Sequence, residues 1–275
     1  MTVPTVALNT GAAMPQLGFG VFQVHPRDTE AVVATALEAG YRLIDTAAMY
    51  RNEDGVGRAV AASGIARDEL FVTTKLDNPT HRSGDVERAF EQSLQRLGLD
   101  CVDLYLIHWP LPAADRYVQV WSTLAKFAED GRARAIGVSN FQIAHLQRLL
   151  DETEIVPAVN QVELHPYLTQ EPLRRFHAEH GIVTEAWSPL GQGGELLAEP
   201  TITGIAEKYG ITPAQVVLRW HLQLGTVAIP KSVTPARIRS NLDVLGFELA
   251  DDDVDAISAL NANRRLGPDP DRFGG

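Results

Sequence analysis

The sequence predicts an α/β fold of one class, a single-domain (β/α)8 TIM barrel spanning residues 1–275. Short apolar, β-branched segments alternate with amphipathic segments from about residue 40 to residue 246, which is typical of a parallel sheet with helical crossovers. Eight apolar segments can be counted, and eight strand-helix units fit the roughly 250 residues of such a barrel. A doubly wound sheet would normally carry a GxGxxG fingerprint at its first turn, and the sequence has none.

The predicted strands are short runs of apolar and β-branched residues. They cover residues 17–20, 42–45, 70–75, 102–107, 133–138, 158–161, 182–186 and 226–229. The segment from about residue 261 is rich in Arg, Gly, Pro and Asp, so we expect a loop that folds over one end of the barrel.

The predicted helices have recognisable starts and apolar faces. In the clearest one, Val86–Leu97, apolar residues recur at intervals of three and four behind a capping Asp85. Because this stripe is continuous, it must pack against the sheet. Further helices are predicted to begin at Asp28, Asp115 and Thr212 and to extend to Leu37, Phe127 and Leu222, the last with Pro213 at its first position.

The composition argues against several classes of partner. The chain has 35 acidic and 24 basic residues and a formal charge of -11, which disfavours binding to nucleic acid or to an anionic membrane. A single cysteine, Cys101, fits a reducing compartment, so we expect a cytoplasmic protein. No apolar run approaches about 18 residues and the first 20 residues lack a signal-peptide pattern, so neither a membrane span nor a leader is expected.

Four polar residues lie at or just after the ends of neighbouring predicted strands, where barrels of this type place their chemistry. Asp45 ends the second strand, Tyr50 follows it, Lys75 ends the third and His108 follows the fourth. Lysine is rare in this chain, which has only four, so a lysine at a strand end suggests a need for a compact cation. The alternative, a purely structural ion pair of Asp45 with Lys75, is equally compatible with these positions.

Six segments, taken in order, resemble the aldo-keto reductase family over nearly the whole chain. They are GYRLIDTAAMYRNE (40–53), TKL (74–76), IHWP (107–110), GVSNF (137–141), NQVELHPY (160–167) and IPKSVTPARI (229–238). Two more, GFGVF (18–22) and WSPLGQG (187–193), are similar to the prokaryotic 2,5-diketo-D-gluconate reductase group within it. The family fold is a (β/α)8 barrel, in agreement with the strand count.

The resemblance implies NADPH-dependent reduction of a carbonyl group. Tyr50 would be the general acid, and Lys75 would stabilise its phenolate and lower the phenol pKa. Asp45 would hold Lys75 in place, and His108 would orient the carbonyl oxygen. All four would be catalytic together.

The resemblance also implies a cofactor site spread over several strand ends. Residues matching the nicotinamide side are Ser139, Asn140 and Gln161 at the carboxamide, with Trp187 stacked on the ring and Ser188 and Leu190 beside it. Residues matching the adenosine side are Lys231, Ser232, Val233, Thr234 and Arg237 at the 2′-phosphate, with Asn241 near the adenine. Thr234 and Pro235 are expected to begin a helix whose N–H groups face the phosphate. Because the cations Lys231 and Arg237 lie beside this helix start, NADPH is expected to be preferred over NADH.

The expected substrate pocket is lined by Phe22, Met49 and Trp109, which suits small α-dicarbonyls, keto sugars or aromatic aldehydes and a role in dicarbonyl detoxification. Two departures from the family pattern stand out. Asp77 replaces a common aromatic residue of the pocket wall, and Ser240 replaces a residue that contacts adenine, which would lower cofactor affinity. Arg264 and Arg265 are expected to be solvated charges of the tail.

Two other functions stay open at this point. Lys75 would serve equally as the nucleophile of a Schiff-base enzyme, although that chemistry has no use for Trp187, Lys231 and Arg237. An NADPH-binding sensor or partner-binding module with little turnover would keep the cofactor residues. We expect a monomer without a metal site, and we expect His177 and His180 to be surface residues of one helix.

Overall fold

In the computed structural model of the protein, which describes residues 3–83 and 85–274, the chain forms a (β/α)8 barrel. An antiparallel hairpin of β1 (Thr5–Ala7) and β2 (Ala13–Pro15) precedes it. Leu8 and Met14 of this hairpin are buried against strand residues such as Leu43 at the amino-terminal end of the barrel. The hairpin therefore closes the end opposite the carboxyl ends of the strands.

The barrel wall is a sheet of parallel strands in sequence order. The strands are β3 (Phe19–Gly20), β4 (Leu43–Asp45), β5 (Phe71–Leu76), β6 (Val102–Ile107), β7 (Ala133–Ser139), β8 (Val159–Glu163), β9 (Val183–Trp187) and β10 (Val227–Ile229). The first and last strands meet where Leu17 bridges Ala228 and the Gly20 N–H donates to the Pro230 carbonyl at 3.0 Å. The predicted barrel is thus confirmed.

The helices lie outside the strands. Along the described chain they are α1 (Pro26–Ala39), α2 (Glu53–Ala62), α3 (Asn78–Ser83), α4 (Val86–Leu97), α5 (Tyr117–Glu129), α6 (Ile143–Glu152), α7 (Glu171–Glu179), α8 (Pro200–Tyr209), α9 (Pro213–Gln223), α10 (Pro235–Leu242) and α11 (Asp251–Ser258). No described helix is long and apolar enough to cross a bilayer. Residues 259–274 follow α11 without a further helix or strand.

The boundaries differ from the predicted ones for local reasons. The Asp28 helix begins earlier, at Pro26, because the His25 ring accepts from the Arg27 N–H and caps it. The helix predicted from Asp115 begins at Tyr117, since Asp115 is left-handed at φ 50°. The strand predicted at 158–161 runs to Glu163, which places Gln161 in its middle rather than at its end.

Candidate active site

A cleft of about 1080 Å3 opens at the carboxyl ends of the strands and is large enough for a dinucleotide with a small substrate. It brings together most of the residues expected from the sequence. They are Phe22, Asp45, Met49, Tyr50, His108, Trp109, Ser139, Asn140, Gln161, Trp187, Ser188, Leu190, Lys231, Ser232, Arg237 and Asn241. Lys75 lies beneath the surface of this cleft, whereas Val233 and Thr234 are exposed and do not line it.

Lys75 is the centre of the buried charges. Its Nζ lies 2.6 and 2.8 Å from the two Asp45 carboxylate oxygens, 2.9 Å from the Thr46 carbonyl and 3.4 Å from the Tyr50 hydroxyl. Asp45 ends β4, and Lys75 lies near the end of the neighbouring β5, so the sheet register sets the distance between them. Lys75 is 0% exposed. The positive charge of Lys75 is therefore balanced by Asp45 inside the barrel. The same ammonium also contacts the Tyr50 hydroxyl.

The pKa of Tyr50 differs from expectation. Burial raises the pKa of Tyr50, Lys75 lowers it, and the net result lies above the ordinary value for tyrosine. Burial by itself lowers the pKa of Lys75, but the Asp45 carboxylate more than reverses this, and the net pKa is raised. Lys75 thus stays a cation and favours the phenolate without overcoming the desolvation of Tyr50, so the pKa of Tyr50 is not lowered overall.

His108 directly follows β6 and lies beside Tyr50, with the two ring centroids 5.7 Å apart in an edge-on arrangement. Burial, with a smaller contribution from Lys75, holds the pKa of His108 well below its usual value. The imidazole is therefore neutral. Its Nδ1 has no hydrogen-bond partner in the described part of the chain.

Asn140 ties the neighbouring strands together just after β7. Its backbone is left-handed at φ 64°, and its amide donates to the His108 carbonyl at 3.0 Å. Its Oδ1 accepts from the Trp187 indole N–H at 2.7 Å, and Ser139 Oγ donates to the Gln161 carbonyl at 2.9 Å. The plane of the Trp187 ring is thus fixed relative to Tyr50 and His108.

Glu185 is a buried carboxyl group of this site that the sequence analysis missed. Gln161 Nε2 donates to Asp45 at 2.8 Å and to Glu185 at 2.9 Å, so one amide group joins two carboxyl groups. Glu185 is directly opposite Gln161 in the β8–β9 register and is 0% exposed. A signal was present, because Glu185 lies two residues before Trp187 on a predicted strand, and alternate strand residues share a face.

The other end of the cleft is exposed and cationic. Lys231 and Arg237 are both exposed, and neither forms a salt bridge with any residue that the structure describes. Helix α10 begins between them, with Thr234 at its N-cap position but without a side-chain capping bond. Instead, the Thr234 N–H donates to Ser232 Oγ at 3.1 Å. Ser240 lines this end of the cleft beside Asn241.

The C-terminal tail crosses the end of the cleft near Trp109 and Trp187. The backbone N–H groups of Leu266 and Gly267 donate to the buried Glu163 carboxylate at 2.6 and 3.0 Å. A Cβ on Gly267 would lie 2.5 Å from the Trp187 ring, so only glycine allows this close approach. Further along, the Phe273 ring lies 4.4 Å from that of Trp109.

Asp77 and His177 differ from their predicted surroundings, whereas Arg264 is exposed as expected. Asp77 does not line the cleft but borders a separate hollow with Arg51 and Arg96, so it is not a pocket wall. Arg264 is exposed but pairs with Glu195 at 2.8 Å. The prediction of a surface His177 is wrong.

His177 is buried because the inner face of α7 presses it against the sheet. Its ring contacts Asn160 at 2.9 Å and Thr184 at 2.8 Å. His180 is half-buried and stacks on Phe176. Within the described residues, no group of three or more His, Cys, Asp or Glu side chains is arranged to hold a metal ion.

Comparisons with known proteins agree with this geometry. Residues 16–262 match the sequence model of the Aldo/keto reductase family. An aldo-keto reductase of Mycolicibacterium smegmatis is 56% identical over 98% of both chains, and the methylglyoxal reductase DkgA of Escherichia coli is 51% identical over 100% of both. A solved structure, a mutant of Gox0644 in complex with NADPH, superposes with a TM-score of 0.95 at 46% identity over 99% of both chains.

The family match covers every strand of the barrel wall, and the relatives align over their full length. Apart from Gly267 and Pro268 of the tail, the residues that line the cleft lie inside the matched range. The chain therefore belongs to the aldo/keto reductase family.

Proposed function

We propose that this protein reduces the carbonyl group of small aldehydes and ketones with NADPH, using Tyr50 as the proton donor. The observation that carries the proposal is the 3.4 Å contact between the hydroxyl of Tyr50, which lines the cleft, and the ammonium of Lys75, which is buried beneath it. A phenol beside a fixed cation is suited to giving up a proton to a developing alkoxide.

The donor set along the cleft fits NADPH. Amide and hydroxyl groups of Ser139, Asn140 and Gln161 lie beside the Trp187 ring, which matches a polar carboxamide on a flat ring. The two exposed cations, Lys231 and Arg237, lie at the far end beside a helix start, which matches a phosphate group. When bound, NADPH supplies the hydride that reduces the carbonyl carbon.

Around the reacting carbonyl, the chain's own groups divide two tasks. Tyr50 donates its proton to the oxygen, and Lys75 stabilises the phenolate that remains. The neutral His108 imidazole offers a ring N–H to the same oxygen and so fixes its direction. Asp45 keeps Lys75 charged and in position by accepting from it with both carboxylate oxygens.

The substrate end favours small carbonyl compounds. Phe22, Met49 and Trp109 line it together with Gly267 and Pro268 of the tail, so the walls are mainly apolar. Relatives about half identical to this chain are named methylglyoxal reductase. Small α-dicarbonyls are therefore the first substrates to test, followed by keto sugars and aromatic aldehydes.

The geometry disfavours the Schiff-base alternative. A nucleophilic lysine must be reachable and neutral, whereas Lys75 is buried and committed to Asp45 and Thr46. The sensor alternative would leave a cofactor cleft without turnover. The complete set of Asp45, Tyr50, Lys75 and His108 supports an active enzyme instead. A cytoplasmic location, expected from the composition, and a monomeric state, implied by the family resemblance, stay predictions.

The test is the loss of NADPH absorbance with small dicarbonyls and aromatic aldehydes, for the native protein and for Tyr50→Phe. We expect the variant to bind NADPH, seen as quenching of tryptophan fluorescence, but to lose about 10²- to 10⁴-fold in kcat. Repeating the assay with NADH tests the cofactor preference. Binding without turnover of any carbonyl would support the sensor function, and neither binding nor turnover would contradict both.

A further inference from the structure

Three glutamates of the described chain are buried, and their surroundings differ. Glu53 accepts from Arg96 at 2.6 Å and from Thr74 at 2.6 Å. Glu163 contacts His165 and accepts from two backbone N–H groups of the tail. Glu185 contacts only one N–H group, that of Gln161, and its Oε1 has no hydrogen-bond partner among the described residues.

The single cation near Glu185 is already neutralised. Lys75 donates to both oxygens of Asp45, and Gln161 Nε2 divides its two hydrogens between Asp45 and Glu185. If Glu185 were also ionised, two buried carboxylates joined by one amide would share one ammonium. An uncompensated buried charge is costly, and the usual outcome is that such a group keeps its proton.

We propose that Glu185 is a positioning residue that stays un-ionised at neutral pH and, through Gln161, holds Asp45 in place around Lys75. Its neutral carboxyl group accepts one N–H of Gln161 without drawing Lys75 away from Asp45. Because both Gln161 amide hydrogens are then used within the protein, its Oε1 is the atom left to accept from a carboxamide in the cleft. This role in catalysis rests on the proposed reduction.

The charges around Glu185 support this assignment. Burial, reinforced by Asp45, raises the pKa of Glu185 to about 8, against the smaller opposing effects of Gln161 and Lys75. Ionised Glu185 contributes to the raised pKa of Tyr50, after the larger effects of burial and Asp45, and so makes Tyr50 a poorer proton donor. Protonated Glu185 therefore keeps Tyr50 a stronger acid and a better proton donor to the carbonyl oxygen. Loss of the Glu185 proton at alkaline pH should slow the reaction.

The direct test is infrared difference spectroscopy of the native protein against Glu185→Gln. We expect the native protein to show the carbonyl band of an un-ionised carboxyl group at neutral pH, and to lose it as the pH passes about 8. Glu53→Gln is the matched control. It removes an equally buried carboxyl group that is paired with Arg96, so its difference spectrum should lack that band.

The second test compares Glu185→Gln with Glu185→Leu in pH profiles of kcat/KM. Gln keeps the acceptor and removes the titration, so the alkaline fall should move upward by about one pH unit or more. Leu also removes the acceptor and leaves a buried Gln161 N–H unpaired, which should lower kcat/KM about tenfold at every pH. A positioning role requires that Glu185→Gln, which keeps the hydrogen-bond acceptor, retains the kcat/KM that Glu185→Leu loses. A role in packing alone makes no such requirement of the acceptor.

Each part of the inference can fail separately from the proposed function. Absence of the un-ionised band in the native protein at neutral pH would overturn it, and this measurement needs neither cofactor nor turnover. Identical alkaline limbs in the native and Gln profiles would overturn the link to Tyr50. Absence of all NADPH-dependent turnover would instead overturn the proposed function, and the infrared band would still decide whether Glu185 holds its proton.

Discussion

The two ends of the cleft hold their charges in opposite ways. At the end proposed to be catalytic, Lys75 and Asp45 are buried, and strands β4 and β5 fix their separation. At the end proposed to bind the cofactor's phosphate, called the phosphate end below, Lys231 and Arg237 are exposed and lie around the start of α10. A buried charge has strong electrostatic interactions and a fixed position. Water weakens the interactions of an exposed charge, but its side chain can move towards a bound group. The first arrangement suits chemistry, and the second suits recognition of a charged group.

The comparison predicts the largest effect for Lys75→Met. This change removes the contact to Tyr50 and leaves the Asp45 carboxylate buried without its cation, so we expect about 10²- to 10⁴-fold loss in kcat and a stability loss of roughly 3–5 kcal/mol. The double variant Asp45→Asn with Lys75→Met should recover much of the stability but none of the activity. Urea unfolding measures the stability and NADPH oxidation measures the activity. An active Lys75→Met variant would show that the buried ammonium is not needed for the reaction.

The next effect is expected at the phosphate end. Replacing Lys231 and Arg237 together by Ala should weaken NADPH binding by roughly 10- to 100-fold, because two charge-assisted contacts are lost in water-exposed positions. NADH binding should change little, and kcat at saturating NADPH should stay near the native value. The affinity of the native protein should fall with added salt, and that of the variant much less. Fluorescence titration at two ionic strengths checks each point.

Gly267→Ala tests the end of the cleft that is proposed to hold the substrate. The added Cβ would meet the Trp187 ring at 2.5 Å, so the tail must move away from the cleft while Glu163 remains intact. We expect KM for a small dicarbonyl to rise about tenfold, with a smaller change for a bulky aromatic aldehyde. Glu195→Gln is the control, since it removes only the exposed contact to Arg264. Equal KM changes for both substrates would argue against a tail-shaped pocket.

The smallest effect is expected at a second Lys–Asp pair that matches the first in chemistry. Lys208 lies 2.7 Å from Asp253, close to the 2.6 Å of Lys75 from Asp45, but its side chain is 55% exposed. Lys208→Met should therefore destabilise the protein far less than Lys75→Met, and it should leave kcat and NADPH binding unchanged. If its stability loss equalled that of Lys75→Met, burial would not be the difference between the two ends.

Much of the fold and of the site could be predicted from local sequence patterns. Strand periodicity located Asp45, Lys75 and His108 at the carboxyl ends of their strands. Because the parallel strands of such a barrel all end at the same face, these residues were expected on one rim. The helix start at Thr212 was also local, since its hydroxyl accepts from the Gln215 N–H, as a capping box requires. Such features depend on residues close in sequence.

Other parts could not be read in this way, because they depend on distant residues. The Glu163 carboxylate binds backbone groups more than a hundred positions away, at Leu266 and Gly267. His177 was misplaced because the helical spacing does not show which face of α7 meets the sheet. Asp77 was assigned to a pocket wall, whereas the loop after β5 directs it into a neighbouring hollow.

Local sequence patterns are enough to predict the barrel, the order of its strands and the types of residue at their carboxyl ends, because hydrophobic periodicity and capping are local properties. The tertiary structure alone decided which of those residues touch and how their protons are held. The pKa of Tyr50 is one such result, since burial by the whole site outweighs the nearby Lys75. The pairing of Asp45 with Glu185 through Gln161 is another, since the barrel must close and bring β4 across its interior from the neighbouring β8 and β9 before one amide can reach both carboxyl groups.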